Sequence, residues 1–355
     1  MDPVLNGDGW PGLQSVIERT SVSPRPRVSS GWGFLRKKRE SFPTGIYILV
    51  YHSVVDPDHR TLWEQGYRKG EVTVMQLRGQ LEFMLTHMTP LALSELPAVW
   101  ASGGPDRPLF AVTFDDGFTN NLTHAHPVIR SLGLKPTVFV CSEFARGREY
   151  FFRVLASMLV QQGHAVRLAA NLRSLASEVG WPDDGEELLG RMKDFYVADG
   201  VEAATDRTYR ECLGDPALLD LHLNRDGVEH LWRAGWEIGN HTAGHRLLAY
   251  QSASQVACAI EDNARYWQQE GIELIDFLAY PIGRSRDVGP AVADWMARSP
   301  GIHGMFANGG INFSLRRKEW LRFSLGRHMD PASCERVVRD QIQRTCLAWD
   351  RIGEQ

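Results

Sequence analysis

The sequence predicts a parallel α/β barrel. Short apolar runs of strand type alternate with helical patterns along the chain, and reactive residues stand where those runs end. The carboxyl ends of the strands in such a barrel face one site, so reactive residues at several strand ends belong together. The most informative run is Phe110-Ala111-Val112-Thr113-Phe114, which leads into Asp115-Asp116-Gly117. It is short, β-favouring and bounded by Pro108 and Gly117, so it reads as a buried strand rather than a helix. Asp-Gly alone is a common turn signal. Adjacent carboxylates repel, however, and neither ionises comfortably without a cation or donors nearby. A second run, Trp236-Glu237-Ile238-Gly239, leads through Asn240 into His241-Thr242-Ala243-Gly244-His245. If Thr242 caps a helical turn, the four-residue spacing places both imidazoles on one face. Two histidines and a carboxylate make a three-ligand set for Zn²⁺ or a similar divalent metal, with one position left open for water.

The 355 residues exceed a typical domain of ~150, but α/β barrels take roughly 200–250 as one unit. Hydrophobic residues make up 43%, enough for a large core, and a net charge of −4 argues against nucleic-acid binding. The five cysteines are scattered without zinc-motif or disulfide-framework spacing, which points to reduced thiols. Residues 1–8 carry no basic start and no apolar run, and no window holds the ~18 apolar residues of a membrane span. The expectation is a cytoplasmic protein without a transmembrane segment.

Taken in order, residues 1–44 are rich in Pro, Ser, Gly and Arg and read as an extended arm, with a short helix at 13–17 and a basic run at 36–39. Residues 46–51 are the first strand, with His52 at its carboxyl end. The polar loop 54–70, with Trp63 and Tyr67, reads as part of a rim. Helical spacing covers 72–87, a short strand 91–93, and a helix begins at Ser94. After the Asp-Asp-Gly turn, 120–132 reads as a helix and 136–140 as the next strand, a βαβ unit. Residues 146–220 read as a mainly helical insertion at the carboxyl face of the barrel, where it serves equally as a cap over the site or as a dimer surface. Asn224 caps a helix ending at Gly235. A helix at 253–270, a strand at 277–280 running into Pro281-Ile282-Gly283, a helix at 291–297 and strands at 305–307 and 321–325 follow. A closing helix covers 332–349.

Thr113-Phe114-Asp115-Asp116-Gly117, His241-Thr242-Ala243-Gly244-His245 and Tyr280-Pro281-Ile282-Gly283 resemble, in order, the first three motifs of the polysaccharide deacetylase family, the NodB-like carbohydrate esterases of family 4. Ile48-Leu49-Val50-Tyr51-His52 resembles the opening strand of the branch that begins with a Tyr-His pair. The resemblance covers residues 45–145 and 220–330. It implies an irregular (β/α)7-type barrel over 45–330, interrupted by the 146–220 insertion, after an N-terminal extension and before a packed C-terminal helix at 331–355. It further implies metal-assisted removal of acetyl from an N-acetylated sugar. Asp116, His241 and His245 match the family's metal ligands, and Asp115 matches its general base. The Ile282 N–H, directed by Pro281, matches its oxyanion donor. Zn²⁺ suits the set, which also accepts Co²⁺, Mn²⁺, Ni²⁺ or Fe²⁺. His52, Tyr280, Pro281 and Arg322 are candidate substrate contacts.

The chain departs from the family pattern twice. The family's base-orienting arginine is replaced by Ala279, with Arg284 or Arg322 as candidates to substitute. The family's late Leu-x-His, which supplies the general acid, has as its nearest counterpart His328 in Leu325-Gly326-Arg327-His328, one residue out of the motif spacing, with His303 as another candidate. Two other functions stay open at this stage. One is deacylation or deformylation of a small cytosolic metabolite, such as a nucleotide sugar or an amino-sugar natural-product precursor. The other is a non-catalytic carbohydrate-binding barrel, which is expected to have lost a ligand or the base.

Overall fold

The structure is a computed structural model and describes residues 42–175, 179–194, 200–307, 309–313 and 319–353. The expected arm, with its helix at 13–17 and basic run at 36–39, lies outside the described residues up to position 41. The described strands are β1 (Ile46–Tyr51), β2 (Val54–Val55), β3 (Val72–Thr73), β4 (Thr89–Pro90), β5 (Leu109–Phe114), β6 (Thr137–Val140), β7 (Glu237–Asn240), β8 (Leu274–Ala279), β9 (His303–Phe306) and β10 (Glu319–Leu321). The main sheet is parallel throughout and runs β1-β5-β6-β7-β8-β9-β10. Along one edge of β5, β4 pairs with Leu109 and Phe110 while β6 pairs with Thr113 and Phe114.

The sheet nearly closes between β10 and β1. Phe323, just past β10, accepts the Val50 N–H and donates to the Ile48 carbonyl, both at 3.0 Å. At the opposite end the Asn312 amide accepts the Leu321 N–H at 2.8 Å while its backbone exchanges hydrogen bonds with Ile46. Among the described residues seven strands follow one another around the sheet with β4 beside β5, consistent with the irregular (β/α)7-type barrel that the resemblance implies.

Period-two alternation sorts the strand residues. Ile46, Ile48, Leu109, Ala111, Phe139, Phe277, Ala279, Met305 and Trp320 fill the barrel. Tyr47, Leu49, Phe110, Val112, Phe114, Val138 and Ile238 face outward and meet Leu77, Leu81, Val128, Leu231 and Val338 from the surrounding helices. Because both faces are covered, the strands are near-continuous apolar runs, which is why they are visible in the sequence.

Several element boundaries differ from expectation for identifiable reasons. Val72–Thr73 is strand, and the helix starts at Val74 because Thr73 and Gln76 form a reciprocal capping box. The helix after the Asp-Asp-Gly turn opens with a π turn, Asn121–Ala125, before the α-helix His126–Ser131. Pro127 has no N–H for the Thr123 carbonyl, and the turn widens there. The strand expected at 91–93 lies at Thr89–Pro90, followed by a 3-10 turn, Leu93–Glu95.

The described residues of 146–220 are mainly helical, with Phe152–Gln161, Ala165–Arg173, Gly185–Asp194 and Val201–Leu213. Their shared core includes Leu155, Leu159, Leu168, Leu172, Leu188 and Tyr209. Trp63, Tyr67 and Phe118 from the barrel loops belong to the same cluster. Trp63 and Tyr67 are therefore buried beneath this helical layer rather than forming a rim. Among the described residues no helix is long and apolar enough to cross a membrane.

Gly239 on β7 faces the barrel interior, where a Cβ would stand 2.4 Å from the Phe139 ring. Gly239→Ala is expected to destabilise the protein by about 1–3 kcal/mol through overpacking, read from the urea unfolding midpoint.

Candidate functional site

The Asp-Asp-Gly turn follows β5, and the His241–His245 loop follows β7, so parallel pairing delivers both to the same end of the barrel. Asp116 Oδ1 lies 3.2 Å from Nε2 of His241 and 3.2 Å from Nε2 of His245. The three ligand atoms lie within 4.8 Å of one another. Asp116, His241 and His245 are only 2%, 1% and 4% exposed.

The histidines do not share a helix face. Residues 241–247 contain no helical turn, and Thr242 and His245 have φ of +65° and +56°. Side chains hold this loop in place of a helical ladder. Asn240 Oδ1 accepts the Thr242 N–H at 2.9 Å, and Thr242 Oγ1 accepts the His245 N–H at 3.1 Å. Asn263, on the helix Ala253–Gln269, donates to Asn240 Oδ1 at 2.8 Å and to the Val140 carbonyl at 3.0 Å. His241 donates from Nδ1 to the Ala279 carbonyl at 2.9 Å, which leaves Nε2 facing Asp116.

The two adjacent carboxylates face different partners. Asp115 extends the inward row of β5 and meets Arg322 in a double hydrogen bond, Nη1 to Oδ1 and Nη2 to Oδ2, both 2.7 Å. Arg322 also donates from Nη1 to Thr113 Oγ1 and from Nε to the Phe306 carbonyl, both at 3.1 Å, and its guanidinium lies 5.4 Å from the Phe139 ring centre. Burial alone would raise the pKa of Asp115, but Arg322, assisted by His241, holds it below the usual 3.8. Burial likewise opposes the charge on Asp116, and His245 and His241 outweigh it, keeping Asp116 well below that value.

His222 is a part of the site that the sequence reading missed. Its Nδ1 donates to the Asp116 carbonyl at 3.1 Å, and its Nε2 accepts the Phe151 N–H at 3.2 Å. Burial pushes its pKa down to about 4 despite the pull of Asp116. No motif spacing points to it, because its partners come from distant segments.

The other candidates fall in different places. Ile282 is half-buried at φ +63° and centres a tight turn in which the Gly283 N–H donates to the Pro281 carbonyl at 2.7 Å. A β-branched residue rarely adopts that conformation, and such strain gathers at functional sites. Pro281 is buried. Tyr280 is not a substrate contact here: alternation turns it outward with Leu278 against Val292 and Trp295, and its hydroxyl donates to Glu319 at 3.2 Å. Arg322 is fully buried on Asp115, so of the two candidates to stand in for the missing motif arginine it is the one that reaches Asp115. Arg284 instead pairs with Asp287 at 2.7 Å. His52 is half-buried with its ring against Gly70.

His328 is exposed, and its carbonyl accepts from Gln80 on the helix Val74–His87. The structure does not bring it into the cluster. His303 is half-buried at the amino end of β9, where it stacks on Phe277 and accepts the Trp320 Nε1–H at 3.3 Å, and the structure does not bring it into the cluster either.

The donor set fits a divalent metal. It offers two imidazole nitrogens and one carboxylate oxygen, an arrangement that leaves coordination positions open. The bond from His241 Nδ1 to a backbone carbonyl is the outer contact that metal-binding histidines usually make.

Removing the guanidinium leaves Asp115 buried without a cation. Arg322→Met is expected to lower stability by about 3–5 kcal/mol at neutral pH. In the wild type the folded pKa of Asp115 lies below 3.8, so its contribution is present above that pH and is lost as pH falls through the folded value. In the variant, burial raises the same group, so acidification relieves it. The stability gap between the two proteins should therefore be widest at neutral pH and narrow towards acid, as denaturant titrations across pH would measure.

No family model matches this sequence, and no curated protein matches it. Solved structures do. A deacetylase of Streptococcus pyogenes, PplD, in complex with acetate, is similar at a TM-score of 0.52 and 17% identity, over 83% of this chain and 98% of that one. IcaB from Ammonifex degensii gives 0.53 and 14%, over 84% and 97%. A de-N-acetylase from Aggregatibacter actinomycetemcomitans gives 0.50 and 13%, over 78% and 94%. At such identities the likeness concerns the fold, and the chain has the fold of these deacetylases.

Proposed function

We propose that the protein is a metal-dependent hydrolase that removes the N-acetyl group from an amino sugar. The observation that carries this reading is the convergence of Asp116, His241 and His245, with the ion-paired Asp115 beside them. The similar folds of named deacetylases, one of them holding acetate, support the reaction class.

Asp116, His241 and His245 would hold the metal, with Zn²⁺ the first candidate. A divalent ion in such a set acidifies water to a pKa of roughly 7 and polarises an acyl carbonyl. Asp115 is the base. Arg322 keeps it ionised and fixes the plane of its carboxylate, so it is ready to accept a proton from the attacking water. Its low pKa makes it a weak base, and orientation compensates for basicity. The Ile282 N–H is assigned to the tetrahedral oxyanion, where one donor is worth roughly 3 kcal/mol. With His328 exposed and His303 at the amino end of β9, we assign the leaving-group proton to Asp115 as well. It takes the proton from water and delivers it to the amine nitrogen as the C–N bond breaks, yielding acetate and the free amine.

A small substrate is the second reading. The metal-binding side chains are almost wholly buried, and Phe151 at the start of the helical layer packs edge-on against His245 at 4.9 Å. That enclosure favours a small cytosolic amide, such as a nucleotide sugar, over an internal unit of a long chain. Acetate release measured across N-acetylglucosamine oligomers of increasing length should then be fastest with the shortest. Activity confined to long oligomers would overturn this version alone.

Elemental mass spectrometry should find about one divalent metal per chain in the wild type and none in His241→Ala. Asp115→Asn should retain the metal and lose about 10²–10⁴-fold in kcat. A metal-free wild type after reconstitution would remove the hydrolase reading, and full activity in Asp115→Asn would remove the base assignment.

A further inference from the structure

The carboxylate of Asp116 can meet both histidines only because its backbone holds an unusual conformation. Asp116 has φ +70°, in the left-handed region that non-glycine residues seldom occupy. The turn therefore needs external restraint, and the chain supplies it from the segment 221–223. The Leu223 N–H donates to the Gly117 carbonyl at 2.8 Å, and the Thr119 N–H donates to the Leu221 carbonyl at 3.0 Å. Phe118 and His222 thereby form an antiparallel bridge. Within this strap, the His222 imidazole reaches the Asp116 carbonyl itself.

The imidazole has little freedom. It stacks on Phe144 at 4.2 Å with planes 19° apart, and on Phe118 at 5.3 Å with planes 16° apart. Both nitrogens are committed, Nδ1 as donor to Asp116 and Nε2 as acceptor from Phe151. Phe151 in turn sets its ring edge against His245. One side chain thus joins the carboxylate ligand's backbone to the residue that packs on a histidine ligand. We propose that His222 is a positioning residue for the metal centre, holding Asp116 in its left-handed turn and tying that turn to the helical insertion. The inference rests on the metal-centre reading above and adds a residue that the motifs do not contain.

The test compares two substitutions by Zn²⁺ affinity, using a chromogenic chelator in competition, and by the metal-free Tm. His222→Phe keeps the aromatic stack and loses both hydrogen bonds. His222→Asn keeps a donor at the position of Nδ1, and so the bond to Asp116, but loses the acceptor for Phe151. A loss of an outer partner of this kind typically weakens metal binding about 10–100-fold, which is the expectation for His222→Phe, whereas His222→Asn should stay within about threefold of wild type. Both are expected to lower the metal-free Tm, which a merely structural histidine would also do. The split in affinity is what only a positioning role produces. Unchanged affinity in His222→Phe, or an equal loss in both variants, overturns the inference while leaving the metal centre standing. If His222→Phe does not fold, a tenfold loss in His222→Asn overturns it. A wild type that binds no Zn²⁺ overturns the metal-centre reading and this inference together.

Discussion

The site depends on a charge pair in the middle of the barrel. Two ions in an apolar interior are costly, and their attraction offsets desolvation only when the geometry is good and the remaining donors are satisfied. Arg322 meets those conditions. It donates four hydrogen bonds, two of them to Asp115, and rests on the face of Phe139. Gly239 is part of the same arrangement, since its missing side chain leaves the space that the Phe139 ring fills. Once Asp115 is fixed on Arg322, Asp116 must turn the other way. The repulsion expected of neighbouring carboxylates is thereby resolved, with one facing a permanent cation and the other facing two histidines.

The parts of the fold visible in the sequence are those governed by local rules. β1 and β5 are apolar because helices and the barrel interior cover both faces, and their ends are marked by reactive residues. Asn224 announces a helix start by capping, and the structure has it capping Gly227. The insertion is readable as helical from its composition and spacing, and the structure places helices there at Phe152–Gln161, Ala165–Arg173, Gly185–Asp194 and Val201–Leu213.

The parts that were not visible depend on contacts between distant segments. Arg322 is a candidate in the sequence beside Arg284, but the choice between them is not legible there: Arg322 reaches Asp115 across 207 positions as Phe323 pairs with β1 and the barrel closes. His222 and Asn263 act through partners 23 to 123 positions away. The histidine pair illustrates a subtler failure. Four-residue spacing fits a helix, but Asn240 and Thr242 offer their oxygens to the local N–H groups, and the loop follows those bonds instead. The residues of the pair were legible, while the geometry that joins them was not.

Backbone strain follows the same map. Of the non-glycine residues at positive φ among those described, Asp116, Thr242, His245 and Ile282 all belong to the motif loops, and Asp220 lies two positions before His222. Each such conformation costs about 1–3 kcal/mol and persists only where its surroundings over-determine it. Here the surroundings include both ends of the insertion. It enters at Phe151, against His245, and returns through 221–223, bridged to the turn that carries Asp116. A segment anchored in this way at entry and exit is not a cover laid over a finished site. The barrel brings the ligands to one end, but the strained turns that aim them are held partly by the insertion, so the insertion and the site form one structural unit.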